Sequence, residues 1–238
     1  MQTIGLIGGM SWDSSATYYR LINTEVRARL GGHHCARLVL VSLDFGAVRA
    51  LQLADRWDDA GELLADAART LAAAGADVVV LCTNLMHKVA PAVEAATALP
   101  FLHIVDAVGA RARALGADRI GLIGTRQVMA EDFYARRLAD RWSIDVVVPP
   151  VDEQAELDRV IFDELTQGVV SAASRDTFAG VIERLAARGA QAVVLACTEI
   201  GLLLGPGDVA VPLIDSAQVH ALAAVDAALA PAGAGRPA

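Results

Sequence analysis

The sequence predicts an α/β protein made of two pseudo-symmetric domains, each an open, mostly parallel sheet flanked by helices. Three observations carry this prediction. Short aliphatic and β-branched runs alternate with alanine-rich stretches of helical period. The runs are almost continuously apolar, as strands buried on both faces of a parallel sheet must be. The chain also repeats itself. An ungapped offset of 114 positions carries Leu71–Leu81 onto Leu185–Leu195, and an offset of 116 lays Ile4–Gly8 on Ile120–Gly124 with five identities in five. Two matches in the same order, at nearly the same offset, point to duplication.

In order, the predicted strands are Ile4–Ile7, Leu38–Val41, Asp77–Leu81, Arg119–Ile123, Asp145–Val148 and Ala192–Leu195. Between them the helices are legible. From about Asp58 to Ala74 the residues Leu63, Leu64, Ala67, Ala68 and Leu71 form one stripe, and Gly75 follows where a left-handed residue ends a helix. After the first strand, Asp13 or Ser14 is the expected N-cap. Pro100 and Pro212 each precede a further apolar run with an acid, Asp106 or Asp215. The expected domains are therefore 1–100 plus 213–238, and 101–212, with a C-terminal helix of about Ala217–Ala230 packing on the first half. The tail Pro231–Ala238 is expected to be disordered.

Composition narrows the function classes. The 238 residues are 55% hydrophobic, enough for a real core, which excludes disordered, collagenous and miniprotein readings. Twenty basic against 28 acidic residues leave a net charge of −8 with no Lys/Arg run, so no nucleic-acid partner is expected. No stretch reaches the ~18 apolar residues of a membrane span, and Met1–Met10 lacks the pattern of a signal peptide, so the expectation is a cytoplasmic protein with no membrane partner. Cys35, Cys82 and Cys197 are too few and scattered for a disulfide framework, and none forms a C-x-x-C pair.

In an open parallel sheet, ligands bind outside the carboxyl ends of the strands. Four such ends carry polar residues: Gly8-Gly9-Met10-Ser11, Cys82-Thr83-Asn84, Gly124-Thr125 and Cys197-Thr198-Glu199. The first offers backbone N–H groups at a helix start, suited to an anion. Its glycine spacing is not that of a dinucleotide fingerprint, and no P-loop lysine follows. Cys197, near the start of a following helix, sits where a thiolate is stabilised. The offset of 114 pairs Cys197 with Thr83, not Cys82. One residue along a strand turns a side chain to the other face, so Cys82 is expected to pack inside. Cys35 is also expected to pack, His33 and His34 to lie in a loop, and His87 either to cap locally or to poise the Thr83 hydroxyl from behind, the second being favoured.

Taken together, Gly5-Leu6-Ile7-Gly8-Gly9-Met10, Thr83-Asn84-Leu85-Met86-His87 and Cys197-Thr198-Glu199 resemble the aspartate/glutamate racemase family over essentially the whole chain. The resemblance implies a cofactor-independent amino-acid racemase with its active site in a cleft between the two domains, needing no pyridoxal phosphate, metal or nucleotide. In the family pattern each domain supplies one cysteine, from C-N-T-x-H and G-C-T-E, one as base and one as acid on opposite faces of Cα. Here Thr83 takes the first position, leaving Cys197 as the main base and implying a bias toward the L-enantiomer. Arg49 falls where the family places a side-chain carboxylate ligand, with Gln52 one turn on. Thr166 stands where some members carry a lysine for the same carboxylate. Met10, through its N–H, and Asn84, Thr125 and Thr198 are expected to hold the α-carboxylate. The implied partner is an amino-acid substrate, aspartate or glutamate, with room for a homodimer. Broader amino-acid specificity, a single-cysteine malonate-type decarboxylase on the same fold, and a non-catalytic small-molecule binder are the alternatives.

Overall fold

The computed structural model describes residues 1–205 and 207–231; the expected tail beyond Pro231 lies outside them. The first sheet is built from β1 (Ile4–Gly8), β2 (Leu38–Ser42), β3 (Val78–Leu81) and β4 (Phe101–Leu102), all parallel in the order β2-β1-β3-β4. Its helices are α1 (Trp12–Leu30), α2 (Phe45–Leu53), α3 (Trp57–Ala73) and α4 (Ala90–Ala96). The second sheet holds β5 (Arg119–Gly124), β6 (Asp145–Val147), β7 (Ala192–Ala196) and β8 (Leu213–Asp215) in the order β6-β5-β7-β8, again parallel. With it run α5 (Ile104–Ala114), α6 (Arg126–Ala130), α7 (Phe133–Trp142), α8 (Val151–Asp163), α9 (Ala172–Ala187), α10 (Ile200–Leu203) and α11 (Ser216–Leu229). The two strand orders are the same, so the duplication read in the sequence is present in the topology.

It is present in the turns as well. α3 and α9 both end in a glycine with positive φ, +83° at Gly75 and +92° at Gly189, a conformation costly for any residue with a Cβ. In each, the following alanine N–H closes on the leucine five residues back, Ala76 on Leu71 at 3.0 Å and Ala190 on Leu185 at 3.1 Å. After β1 the constraint is steric too: Gly9 has φ +87°, and a Cβ there would lie 2.1 Å from the Leu43 carbonyl oxygen. The N-cap of α1 is Ser11, whose Oγ accepts from the Ser14 N–H, and not Asp13 or Ser14 as expected.

Two further expectations are corrected. β2 is not buried on both faces: it is an edge strand, with Leu40 42% exposed. The apolar runs after Pro100 and Pro212 are fourth strands, pairing with β3 and β7. Phe101 and Leu102 thus complete the first sheet and Leu213–Asp215 the second, which moves both expected boundaries. The chain forms two compact units, Met1–Cys82, Val89–His103 and His220–Ala238 in one, and Thr83–Lys88 and Ile104–Val219 in the other. From His220 onward α11 belongs to the first unit. The buried His220 ring donates from Nε2 to the Leu102 carbonyl and accepts the Tyr18 hydroxyl at Nδ1, both at 2.9 Å. No helix among the described residues is long and apolar enough to cross a membrane.

Candidate active site

Of the eight predicted site residues, Thr125, Cys197 and Thr198 stand at the carboxyl ends of β5 and β7, and Thr83 and Asn84, which follow β3, also fall in the second unit. Strands β5 and β7 are neighbours, with Gly124 opposite Ala196, so Thr125 and Cys197 leave adjacent strand ends ~4.8 Å apart. Gly124 permits this approach, since a Cβ there would meet the Ala196 carbonyl oxygen at 2.9 Å. Thr125 is the N-cap of α6, yet its hydroxyl does not cap. Asp158 Oδ1 accepts the Arg126 N–H at 2.7 Å instead. The Thr125 hydroxyl is left buried without a partner, a position that costs free energy unless something binds there.

The Cys197 thiol is partly exposed and donates to Glu199 Oε2 at 3.0 Å, an oxygen that also accepts the Thr198 hydroxyl at 2.6 Å. Burial raises the thiol's pKa well above its usual range, and the Glu199 charge and hydrogen bond raise it further. The Glu199 N–H opposes this by pointing a donor at the sulfur. The expected helix-stabilised thiolate is therefore corrected. The helix that follows, α10, has four residues and contributes little field, so the thiol keeps its proton. Thr198 is likewise not a free donor, because its hydroxyl proton is engaged by Glu199.

Thr83 opens the segment that leads into a 3₁₀ turn, Leu85–Val89. Cys82 is fully buried, and burial drives its pKa far upward, so it is an inert core thiol as expected. Thr83, one residue on, is partly exposed. Asn84 Nδ2 donates to Ser216 Oγ at 3.0 Å, and that hydroxyl donates to the Leu195 carbonyl at 2.8 Å, near the end of β7. Because Ser216 gives its proton to Leu195, it accepts from the Asn84 amide, which fixes the amide's orientation. Asn84 Oδ1 is then a buried acceptor with no partner. This suits an ammonium better than the carboxylate for which Asn84 was expected.

His87 does not touch the Thr83 hydroxyl. Its Nε2 accepts the Ile104 N–H at 3.2 Å, which leaves the proton on Nδ1 to donate to the Thr83 carbonyl at 2.7 Å. The imidazole locks the turn's backbone. Lys88, the chain's single lysine, pairs with Glu131 at 2.8 Å. These bonds explain why Thr83–Lys88, expected in the first domain, belongs with the second unit.

The remaining predicted residues are in the first unit. Met10 is 7% exposed, and its N–H donates to nothing among the described residues. The neighbouring Gly9 N–H is already taken by Ser15 Oγ at 2.8 Å, so the anion-ready end of β1 is narrower than expected. On α2, Arg49 Nη1 donates to Gln52 Oε1 at 3.2 Å, which confirms that the two share a face. Thr166, in the second unit, turns its hydroxyl back to the Phe162 carbonyl. Cys35 is exposed, not packed as expected, because the loop that carries it leads into an edge strand. Among the described residues no group of three or more His, Cys, Asp or Glu could hold a metal ion. Ser216 escaped the sequence reading: a serine opening a helix reads as a cap, which conceals its hold on Asn84.

Residues 7–224 match the Asp/Glu/hydantoin racemase family. Among solved structures, a candidate Asp/Glu racemase from Yersinia pestis is 46% identical over 97% of this chain and 100% of that one, with a TM-score of 0.92. An aspartate racemase homologue from Pyrococcus horikoshii OT3 is 31% identical over 96% and 99%, TM-score 0.84. Arylmalonate decarboxylase, 20% identical over 97% and 94% with a TM-score of 0.53, shares the fold alone. With a family match over nearly its whole length and two sheets of one topology, this chain belongs to the Asp/Glu/hydantoin racemase family.

Proposed function

We propose that the protein is a cofactor-independent racemase of aspartate or glutamate in which Cys197 is the main base and Thr83 its opposite number. The observation that carries this reading is the Cys197–Glu199 pair at the end of β7. Beside it, the Asn84–Ser216–Leu195 chain holds an unpartnered acceptor. In the proposed reaction Cys197 passes its thiol proton to Glu199, and the thiolate takes the Cα proton of the L-substrate. The electron pair moves into the α-carboxylate, whose developing charge meets the Thr125 hydroxyl and the Met10 N–H. Asn84 Oδ1 accepts from the substrate ammonium. Arg49 with Gln52 is the group proposed for the side-chain carboxylate. Thr83 then delivers a proton to the other face, giving the D-enantiomer; its alkoxide regains a proton from solvent while Glu199 releases to solvent the proton it took from Cys197, which restores the resting enzyme.

A hydroxyl is a weak acid and a weaker base near neutral pH than a thiol. Cα–H exchange of L-substrate in D₂O, followed by proton NMR, should therefore outrun formation of the D-isomer. Cys197→Ala should abolish both signals, and Thr83→Cys should raise D-isomer formation. Equal initial exchange of both enantiomers, or an active Cys197→Ala enzyme, overturns the assignment. The resting protonated thiol also favours a second reading, in which Cys197 only protonates an enediolate left by decarboxylation of a malonate. Carbon dioxide release from phenylmalonate, with no Cα–H exchange of amino acids, would select that reading instead.

A further inference from the structure

We propose that a pocket on the first unit, between the outer face of α1 and the loop that follows it, binds a phosphorylated small molecule bearing two or more negative charges. The cavity has a volume of about 550 Å³, within the size of small-molecule sites. Arg20, Asn23 and Arg27 line it from α1, one helical turn apart, and His33 and His34 line it from the loop, with no acidic residue on its wall.

The cations that line it are not engaged by acids among the described residues. In a protein of net charge −8, Arg29, Arg56, Arg69, Arg136, Arg137, Arg159 and Arg184 are all paired with carboxylates. The guanidinium groups of Arg20 and Arg27 have neither a hydrogen bond nor an ion pair among the described residues. A cation in the last turn of a helix is favoured by the helix dipole, which accounts for Arg27. It does not account for Arg20, nor for two imidazoles across the cavity. The pocket is also held open by the fold. Asn23 Nδ2 donates to the Tyr19 carbonyl, and Asn23 Oδ1 accepts the Ala36 N–H, both at 2.9 Å. Gly31 and Gly32, at φ +73° and +56°, turn the loop back toward the helix.

Ligand size and charge follow from this geometry. Seven residues separate the two guanidiniums, ~10 Å along the helix axis, a span matched by a chain of phosphates and not by one small monoanion. Guanidiniums bind phosphate oxygens in bidentate fashion, and the imidazoles add donors from the other wall. The exposed Tyr19 ring, also on the wall, offers a face for an attached base.

Isothermal titration of the intact protein, in buffer free of divalent metal, tests this with sodium ATP, sodium tripolyphosphate and adenosine. ATP and tripolyphosphate should each bind once per chain, more weakly as salt is raised, and adenosine should give no heat. Arg20→Ala and Arg27→Ala should each weaken ATP about tenfold or more, with Arg20→Lys retaining part of the affinity. Both side chains are exposed, so unchanged circular dichroism is expected alongside. The proposal is overturned if neither phosphate binds saturably at up to roughly millimolar concentration, if adenosine binds as well as ATP, or if the double alanine variant binds ATP as the parent does.

Discussion

A largely desolvated thiol donating to a carboxylate 3.0 Å away gives up its proton only as the solution becomes alkaline. The folded-state pKa of Cys197 is raised, so at neutral pH its thiolate fraction is small and grows about tenfold per pH unit until the pKa is reached. Alkylation of Cys197 by iodoacetamide, read by peptide mass mapping so that the exposed Cys35 is scored separately, should rise with pH on that slope. Glu199→Gln removes the charge and weakens the hydrogen bond, and should move the profile to lower pH; an unmoved profile would mean that burial alone sets it. At this scale the sequence shows which residues stand at strand ends, because strand period and repeat offset place Cys197, Thr83 and the inward Cys82 without knowledge of contacts. It could not show that Glu199 would hold the thiol proton. That depends on χ angles and burial, which no spacing encodes.

Ser216 begins α11 and ties Asn84 to the end of β7, so one hydroxyl joins three elements. Ser216→Ala leaves the Leu195 carbonyl and the Asn84 amide unsatisfied in a fully buried place, at a cost of about 1–3 kcal/mol. With ~2–4 °C per kcal/mol for a chain of this size, the thermal midpoint should fall by several degrees. If Asn84 receives the substrate ammonium, KM should rise more than kcat falls, and Ser216→Thr should recover most of both. A loss of stability with unchanged KM would reduce Ser216 to a structural link. The central strands were legible because an apolar run of five or six residues between helices has few other readings. β4 and β8, two and three residues long, were not, since so short a run is a strand only by virtue of the neighbour it pairs with.

Neither unit is a continuous stretch of chain, and α11 crosses from one to the other. Its later part supplies Ala228 to accept the Gln2 N–H at 2.8 Å, Asp226 to pair with Arg29, and His220 between Tyr18 and Leu102. A chain ended at Val219 should therefore lose hydrogen-exchange protection in β1 and β3 while keeping more of it in β5 and β7. Full protection of β1 in that variant would show that the first sheet stands without the helix.

The order in which a ribosome makes this chain then matters. Strands β1 to β4 are complete by residue 103, but the helix segment that covers them comes only after the 116 residues of 104–219. At ~5–20 residues per second, that is a wait of roughly 6–23 s. During it the apolar first sheet has a missing wall, and the second unit has everything it needs before the first does. The half of the molecule that emerges first is the half that closes last, so a pause in translation between those residues prolongs the exposure of aggregation-prone strands, and a chaperone that holds nascent β1 and β3 has a defined moment of release.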